Sequence, residues 1–194
     1  MNLNGSVYLA LPLILATSIS LLLARDWKWN AVAYSLQCLG SFWLILPSLP
    51  IGLAAVELVV GWVAGVVLIS AQSRREEAEA PFLSMQVFRG VAAGMGAILV
   101  VSILPGIAAV LPVRIDILGG GLLLIVMGLL MMGMGRIIVR TFFGLLTLVT
   151  GFNVIYAALE SSLLVIGLRV SITLGLAFVG VYLTLSGPAE RGNE

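Results

Sequence analysis

The sequence predicts an all-α protein, a polytopic transmembrane bundle of about seven helices. Hydrophobic residues make up 61% of the 194 residues and charged residues only 10%, whereas ordinary soluble domains carry about 25% charged residues. The mean hydropathy is +1.18, and the apolar residues fall in successive runs near the roughly 20 residues that a helix needs to cross a bilayer. Such a chain lacks the polar surface of a soluble domain, so lipid must surround most of it.

Charge, proline and glycine interrupt the apolar runs and set the limits of each predicted helix. Basic residues and tryptophans end the first run, a Pro-Ser-Leu-Pro turn ends the second, and a dense charged stretch ends the third. Shorter breaks around residues 112–116, 135–136 and 160–161 separate the remaining four. The predicted spans are residues 7–24, 30–46, 51–70, 91–111, 117–135, 138–159 and 162–186.

The charged stretch divides the single membrane domain into two parts. Residues 1–73 are predicted to form a three-helix N-terminal part, and residues 91–194 a four-helix C-terminal part. Residues 74–90 between them are predicted to be a cytoplasmic linker, whose last turns form a short interfacial helix. The alternative is that this linker is a docking surface for a cytoplasmic partner.

The distribution of basic residues predicts the orientation, because Lys and Arg collect in cytoplasmic connections. With seven spans and the N-terminus outside, only Arg114 lies on the outer side, and Arg169 falls inside the last span. The cytoplasmic side then receives eight basic residues: Arg25, Lys28, Arg74, Arg75, Arg89, Arg136, Arg140 and Arg191. We therefore expect a multi-pass protein of the inner (cytoplasmic) membrane, with its N-terminus out and its C-terminus in.

Composition also excludes several classes of function. The chain has no histidine, which removes imidazole-ligated haem, the common zinc sites and histidine acid/base catalysis. Its one cysteine, Cys38, cannot form an internal disulfide. A net charge of +1 with scattered basic residues does not favour nucleic-acid binding. We expect no catalytic, metal or cofactor site and no autonomous enzymatic activity.

Ionisable groups inside the predicted spans are the candidates for function, because a charge in hydrocarbon costs at least about 2.5–3.5 kcal/mol and requires a partner. Glu57 and Arg169 lie at similar depths, roughly 9 and 11 Å from the outer ends of their spans. Asn153 and Gln37 approach the same layer. The predicted polar cluster has three readings: an ion pair that fixes helix register, part of a proton or ion relay, or a charge that faces a partner subunit.

Two regions of the sequence resemble a known family. Residues 136–145 read RIIVRTFFGL and are followed by Gly151 and Asn153. This resembles the middle helix of the small K subunit of respiratory complex I and, more closely, the E membrane subunit of hydrogenase-4, where two arginines precede a Phe-Gly step. Residues 164–168 are similar to the start of that family's last helix, and residues 34–39 to its second-helix segment. The helix number, the linker after the third span and these matched segments, taken together, cover most of the chain.

One departure from the family pattern changes what the resemblance implies. In the K-type helix a membrane-embedded glutamate follows the glycine within about two turns, but Gly144 is followed here by LLTLV. The resemblance then implies the fold of the family without that proton-relay residue, and favours a structural or quinone-side packing role. Gly144 and Gly151 would pack helices, and Arg136 and Arg140 would anchor the cytoplasmic side.

The resemblance implies a non-catalytic integral membrane subunit of a complex I-like assembly, contributing helix packing and part of an ion path. Such an assembly would be a membrane-bound hydrogenase, a dehydrogenase or a multisubunit cation/proton antiporter. The expected partners are other membrane subunits of a hetero-oligomeric complex and the lipid bilayer, with the redox cofactors in those partners. Two alternatives remain: a self-sufficient small transporter or channel, and a scaffold subunit of another energy-transducing membrane complex.

Overall fold

A computed structural model of the protein describes residues 3–23, 27–72, 83–134, 138–160 and 162–186. These residues form seven α-helices and contain no strand. The prediction of an all-helical fold is confirmed. In chain order the helices are α1 (Leu3–Leu23), α2 (Trp27–Ile45), α3 (Ile51–Gln72), α4 (Leu83–Ala108), α5 (Ile115–Met134), α6 (Ile138–Leu159) and α7 (Leu163–Ser186).

Helices α3 to α7 are each long and apolar enough to cross a membrane. They identify the chain as a membrane protein. Within the described part of α1 the apolar stretch is shorter, Ala10–Leu23. Helix α2 is less apolar because it carries Lys28, Asn30 and Gln37. Of these three, Lys28 is exposed, whereas Asn30 and Gln37 are buried in the interior.

The helices pack in two layers. One layer contains α1, α2 and α3 side by side, and the other contains α4, α5, α6 and α7 in that order. Helix α1 packs against α4 and α5, α2 against α5 and α6, and α3 against α6 and α7. The middle of the bundle is therefore the contact between α2 and α6.

Specific contacts show that the helices alternate in direction. A Cβ at Gly61 would meet Cys38 and one at Gly65 would meet Tyr34, so α3 runs antiparallel to α2. Helices α3 and α7 run parallel, because Glu57 contacts Arg169 and Leu68 lies beside Gly180, eleven residues further along both helices. We call the end of the bundle where α2, α4 and α6 begin the basic end.

The start of α4 differs from the prediction from sequence. The helix begins at Leu83, eight residues before the predicted start of the fourth span at Val91. The residues between them contain no proline, and the side chain of Arg89 is only 4% exposed. The segment predicted to be a short interfacial helix at the end of the linker is therefore continuous with the fourth predicted span. The part of the linker from residue 74 to residue 82 lies outside the described residues.

Helices α5 and α6 meet along a seam of four glycines: Gly121 and Gly128 on α5, and Gly144 and Gly151 on α6. A Cβ at Gly128 would lie 2.6 Å from the carbonyl oxygen of Gly144, and one at Gly151 would lie 2.5 Å from that of Gly121. Neither distance is compatible with a side chain. Glycine lets the two backbones touch, which is how helices associate closely in lipid.

Candidate intramembrane polar site

An ion pair joins the two layers at Glu57 of α3 and Arg169 of α7. Each residue lies six positions after the first residue of its helix, so both sit about 9 Å from the end opposite the basic end. Nη2 of Arg169 donates a hydrogen bond to Oε1 of Glu57. The exposed fractions of the two side chains are 4% for Arg169 and 11% for Glu57. The structure therefore brings these two predicted residues into direct contact.

The ion pair leaves part of the guanidinium without a partner. Nε and Nη1 of Arg169 are buried and make no hydrogen bond to any described residue. The hydroxyl of Thr173, one turn later on α7, donates to the carbonyl oxygen of Arg169 at 3.0 Å and accepts no hydrogen bond from Nε or Nη1. A guanidinium offers five N–H groups. The guanidinium therefore has N–H groups beside the carboxylate that make no hydrogen bond to the described residues.

A small cavity lies next to Glu57, between helices α2, α3, α6 and α7. Its volume is about 20 Å³, which is room for roughly one water molecule. Asn153 of α6 lines the same cavity as Glu57, so the structure brings together three members of the predicted cluster. The other polar side chains of the lining are Cys38, Ser41, Thr150 and Thr173.

Gln37 does not line this cavity. Its Nε2 donates to Oγ of Ser18 at 3.3 Å, which links α2 to α1 within one layer. Depth along the helix placed Gln37 near the cluster, but its direction around α2 turns the amide towards α1. Cys38 and Ser41, one and four residues further along α2, line the cavity in place of Gln37.

The prediction from sequence also omitted Tyr34. Its ring is 1% exposed and packs edge-on against Phe143 of α6 at a centroid distance of 5.4 Å. The phenol lies near Cys38 and Thr150. A signal was available in the sequence: Asn30, Tyr34, Gln37 and Ser41 recur at steps of four, three and four residues, which places them on one face of a helix.

The predicted anchoring residues lie at the basic end. Arg140, three residues into α6, donates from Nη2 to the carbonyl oxygen of Leu22. Leu22 is in the last turn of α1, where carbonyl groups lack helical partners and cations are favourable. This contact ties the two layers together at that end. Arg136 lies outside the described residues.

The donor set of the site suits water and protons better than a metal. The described residues contain no group of three or more His, Cys, Asp or Glu side chains that could hold a metal ion. The cavity offers a carboxylate, an amide and hydroxyl groups. Arg169 already balances the charge of Glu57, so a second cation would be repelled. A neutral water molecule meets no such repulsion, and a proton, unlike a metal cation, needs only one ligand atom because it forms an O–H bond with the carboxylate.

No protein-family model matches the chain, and no curated protein or solved structure is significantly similar to it. The resemblance to the hydrogenase-4 and K-type subunits therefore rests on the sequence motifs alone.

Proposed function

We propose that the chain is a non-catalytic integral membrane subunit of a complex I-like assembly, in which it supplies helix packing and part of an ion path. The observation that carries the proposal is the Glu57–Arg169 pair with its adjacent polar cavity. Ionisable side chains deep in membrane segments are rare, and they commonly mark proton and ion pathways. Here Arg169 of the same chain balances the charge of the Glu57 carboxylate, and the adjacent cavity has room for water.

The proposed membrane topology is seven spans with the N-terminus outside and the C-terminus inside. It is supported by the alternating helix directions and by the position of the described basic side chains. Lys28 and Arg140 lie in the first turns of α2 and α6, and Arg89 lies in the second turn of α4, all at the basic end. Arg114 lies at the opposite end, in an exposed ion pair with Asp116. This separation is what the positive-inside rule requires if the basic end is cytoplasmic.

Apolar surface on the outer helices supports association with other membrane subunits. Helix α4 exposes Met95 and Ile98, and helix α7 exposes Leu164 and Leu168. These residues lie at opposite edges of the four-helix layer. Both edges suit either acyl chains or the helices of partner subunits, which are equally apolar. In the proposed assembly the redox cofactors belong to the partners.

The second candidate function is a self-sufficient small transporter or channel. The cavity beside Glu57 favours it, because a transported ion needs a polar resting position inside the membrane. This candidate requires that the purified chain alone move an ion across a bilayer. A scaffold subunit of another energy-transducing complex remains the third possibility.

Gentle extraction of the tagged chain from its own membrane, followed by native gels and mass spectrometry, tests the proposal. We expect the chain to migrate with other membrane subunits and with redox or antiporter-type subunits in fixed stoichiometry. A homogeneous assembly of this chain alone would overturn the proposal and favour the transporter. Partners of an unrelated energy-transducing complex would overturn it in favour of the scaffold role.

A further inference from the structure

Four buried oxygen atoms on α2 and α6 lack hydrogen bonds. They are Oδ1 of Asn30, Oη of Tyr34, Oε1 of Gln37 and Oγ1 of Thr147, none of which has a hydrogen-bond partner among the described residues. Buried polar atoms in proteins are nearly always bonded either to protein or to ordered water. Leaving such an atom unbonded inside a membrane protein costs several kcal/mol, on the order of the cost of moving an unbonded polar group into hydrocarbon.

The residue spacing on each helix places these polar residues on one face of that helix. On α2, Asn30, Tyr34, Gln37 and Ser41 share one face at steps of four, three and four residues. Thr147 and Thr150 lie one turn apart on α6, on the side of Phe143, which touches Tyr34. We call these six residues the α2–α6 polar column. It extends from Asn30, about 4.5 Å from the start of α2, to Ser41, about 21 Å from it.

The column ends at the ion pair. Ser41 and Thr150 line the cavity that Glu57 and Asn153 also line, and the phenol of Tyr34 lies near Thr150 and Cys38 on the side towards the basic end. The column thus reaches the carboxylate from the basic end. Its lower members are the atoms without partners, and its upper members surround the space that holds roughly one water molecule.

Beyond the ion pair the interior becomes apolar. Leu44 of α2 and Val154 and Ala157 of α6 are at most 2% exposed and lie at or above the layer of Glu57. Such packed apolar side chains offer water no hydrogen bonds, and a dry apolar region excludes it.

We propose that a chain of water molecules fills the α2–α6 polar column and delivers protons to Glu57 from the basic end only. Water molecules donate to the amide oxygens of Asn30 and Gln37, and they donate to or accept from the hydroxyls of Tyr34 and Thr147, which supplies the missing partners. A proton that arrives through the chain forms an O–H bond on the Glu57 carboxylate, and a proton that leaves breaks it. Arg169 stays charged throughout and holds the carboxylate in place. The proposal rests on the proposed role in an ion path and names the ion as the proton.

Cysteine labelling of the full chain in membrane vesicles tests this proposal. Thr147 and Leu36 are both nine residues after the first residue of their helices, so they lie at equal depth, about 13.5 Å from the basic end. Thr147 is 1% exposed and belongs to the column, whereas Leu36 is 43% exposed on the outer surface of α2. We would introduce Thr147→Cys or Leu36→Cys into a Cys38→Ser background. Silver ion, a charged thiol reagent about the size of a water molecule, is the probe, added as its nitrate in chloride-free buffer.

The expected labelling rates run opposite to the exposed fractions of the two positions. The Thr147→Cys variant should react about tenfold faster or more than the Leu36→Cys variant, because only a hydrated thiol forms the reactive thiolate. Labelling should occur in the vesicle orientation that exposes a Lys28→Cys marker at the basic end. A Glu160→Cys marker identifies the opposite orientation, in which labelling at position 147 should be slow. Equal slow labelling of both deep variants, or faster labelling from the Glu160 side, overturns the proposal.

A second measurement needs no substitution. Brief radiolysis of water inside the protein oxidises nearby side chains, and mass spectrometry locates the products. Tyr34 and Phe143 are equally buried, at 1% exposed, and touch each other. Oxidation of Tyr34 well above that of Phe143 is expected, and oxidation of neither ring would overturn the water chain even if the cysteine variants fail to fold. Neither experiment depends on partner subunits, so a failure of the proposed assembly leaves both results interpretable.

Discussion

Helix α6 presents two different faces to two different neighbours. Towards α5 it presents Gly144 and Gly151, and the two backbones touch with no side chain between them. Towards α2 it presents Thr147 and Thr150, opposite a buried tyrosine. One contact is held by close approach of the backbones, and the other contains hydroxyl groups that the described residues leave partly unbonded. A single membrane helix thus builds both a dry contact and a polar one, three residues apart.

The two contacts depend on different forces. Between membrane helices no hydrophobic driving force exists, so the glycine seam is stabilised by van der Waals contact at short range. The polar contacts are stabilised only if every buried donor and acceptor has a partner. Substitutions that alter size should therefore disrupt the seam, and substitutions that alter charge or hydrogen bonding should disrupt the polar side.

The largest effect is expected at the ion pair. Arg169→Leu should destabilise the folded protein by about 3–5 kcal/mol, because it leaves the Glu57 carboxylate buried without its cation. Combining it with Glu57→Leu should restore most of the loss, since two apolar side chains need no partner. Unfolding in mixed detergent micelles measures the free energy of each variant.

A matched control for this cycle is the exposed ion pair of Arg114 and Asp116. The side chain of Arg114 is 50% exposed, so Arg114→Leu should change the free energy of unfolding by only about 0–1 kcal/mol. If the double variant at Glu57 and Arg169 is as unstable as the two single losses added together, the residues do not stabilise each other.

The next largest effect is expected in the glycine seam. Gly128→Ala places a methyl group 2.6 Å from the carbonyl oxygen of Gly144, so the two helices must separate, at a cost of about 1–3 kcal/mol. Gly133→Ala, on the same helix, adds a methyl group with no atom within 4 Å and should be neutral or slightly stabilising. Thermal unfolding of the two variants in one detergent makes the comparison. Equal melting temperatures would show that α5 and α6 do not touch at Gly128.

The smallest effect distinguishes a hydrated column from a dry one. Thr147→Val keeps the shape of the side chain and removes its hydroxyl. If water bonds to that hydroxyl, the substitution should lower stability by about 0.5–1.5 kcal/mol, whereas removal of an unbonded buried hydroxyl would raise it. Thr147→Ser keeps the hydroxyl and should retain any ordered water. A higher melting temperature for Thr147→Val would count against water at this position.

Helix position was largely predictable from sequence, because charge, proline and glycine interrupt each apolar run. The depth of a residue along its helix was predictable for the same reason. Once both helix starts are known, Glu57 and Arg169 lie in the same layer, and the structure joins them by a hydrogen bond. The exception at the start of α4 has a physical cause. The charge of Arg89 suggests an interfacial helix separate from the fourth span, but the arginine is buried and one continuous helix contains both.

Direction around each helix was not predictable. Gln37 and Ser41 lie one turn apart on α2, yet only Ser41 lines the cavity, because Gln37 reaches Ser18 instead. Thr147 and Thr150 gave no signal, since hydroxyl side chains in membrane helices commonly bond to their own backbone, as Thr150 does to the carbonyl of Leu146. Their importance depends on which neighbouring helix they face, and this becomes known only when the layers are assembled.

The glycine seam has a consequence for motion. The two glycines on each helix lie seven residues apart. Sliding α5 past α6 by a single turn would therefore press side chains against the facing backbone. These two helices are therefore expected to travel as one rigid unit. Relative motion of helices is then expected at the other contacts of the bundle, among them the contact between α3 and α7, where the carboxylate and its cation face each other.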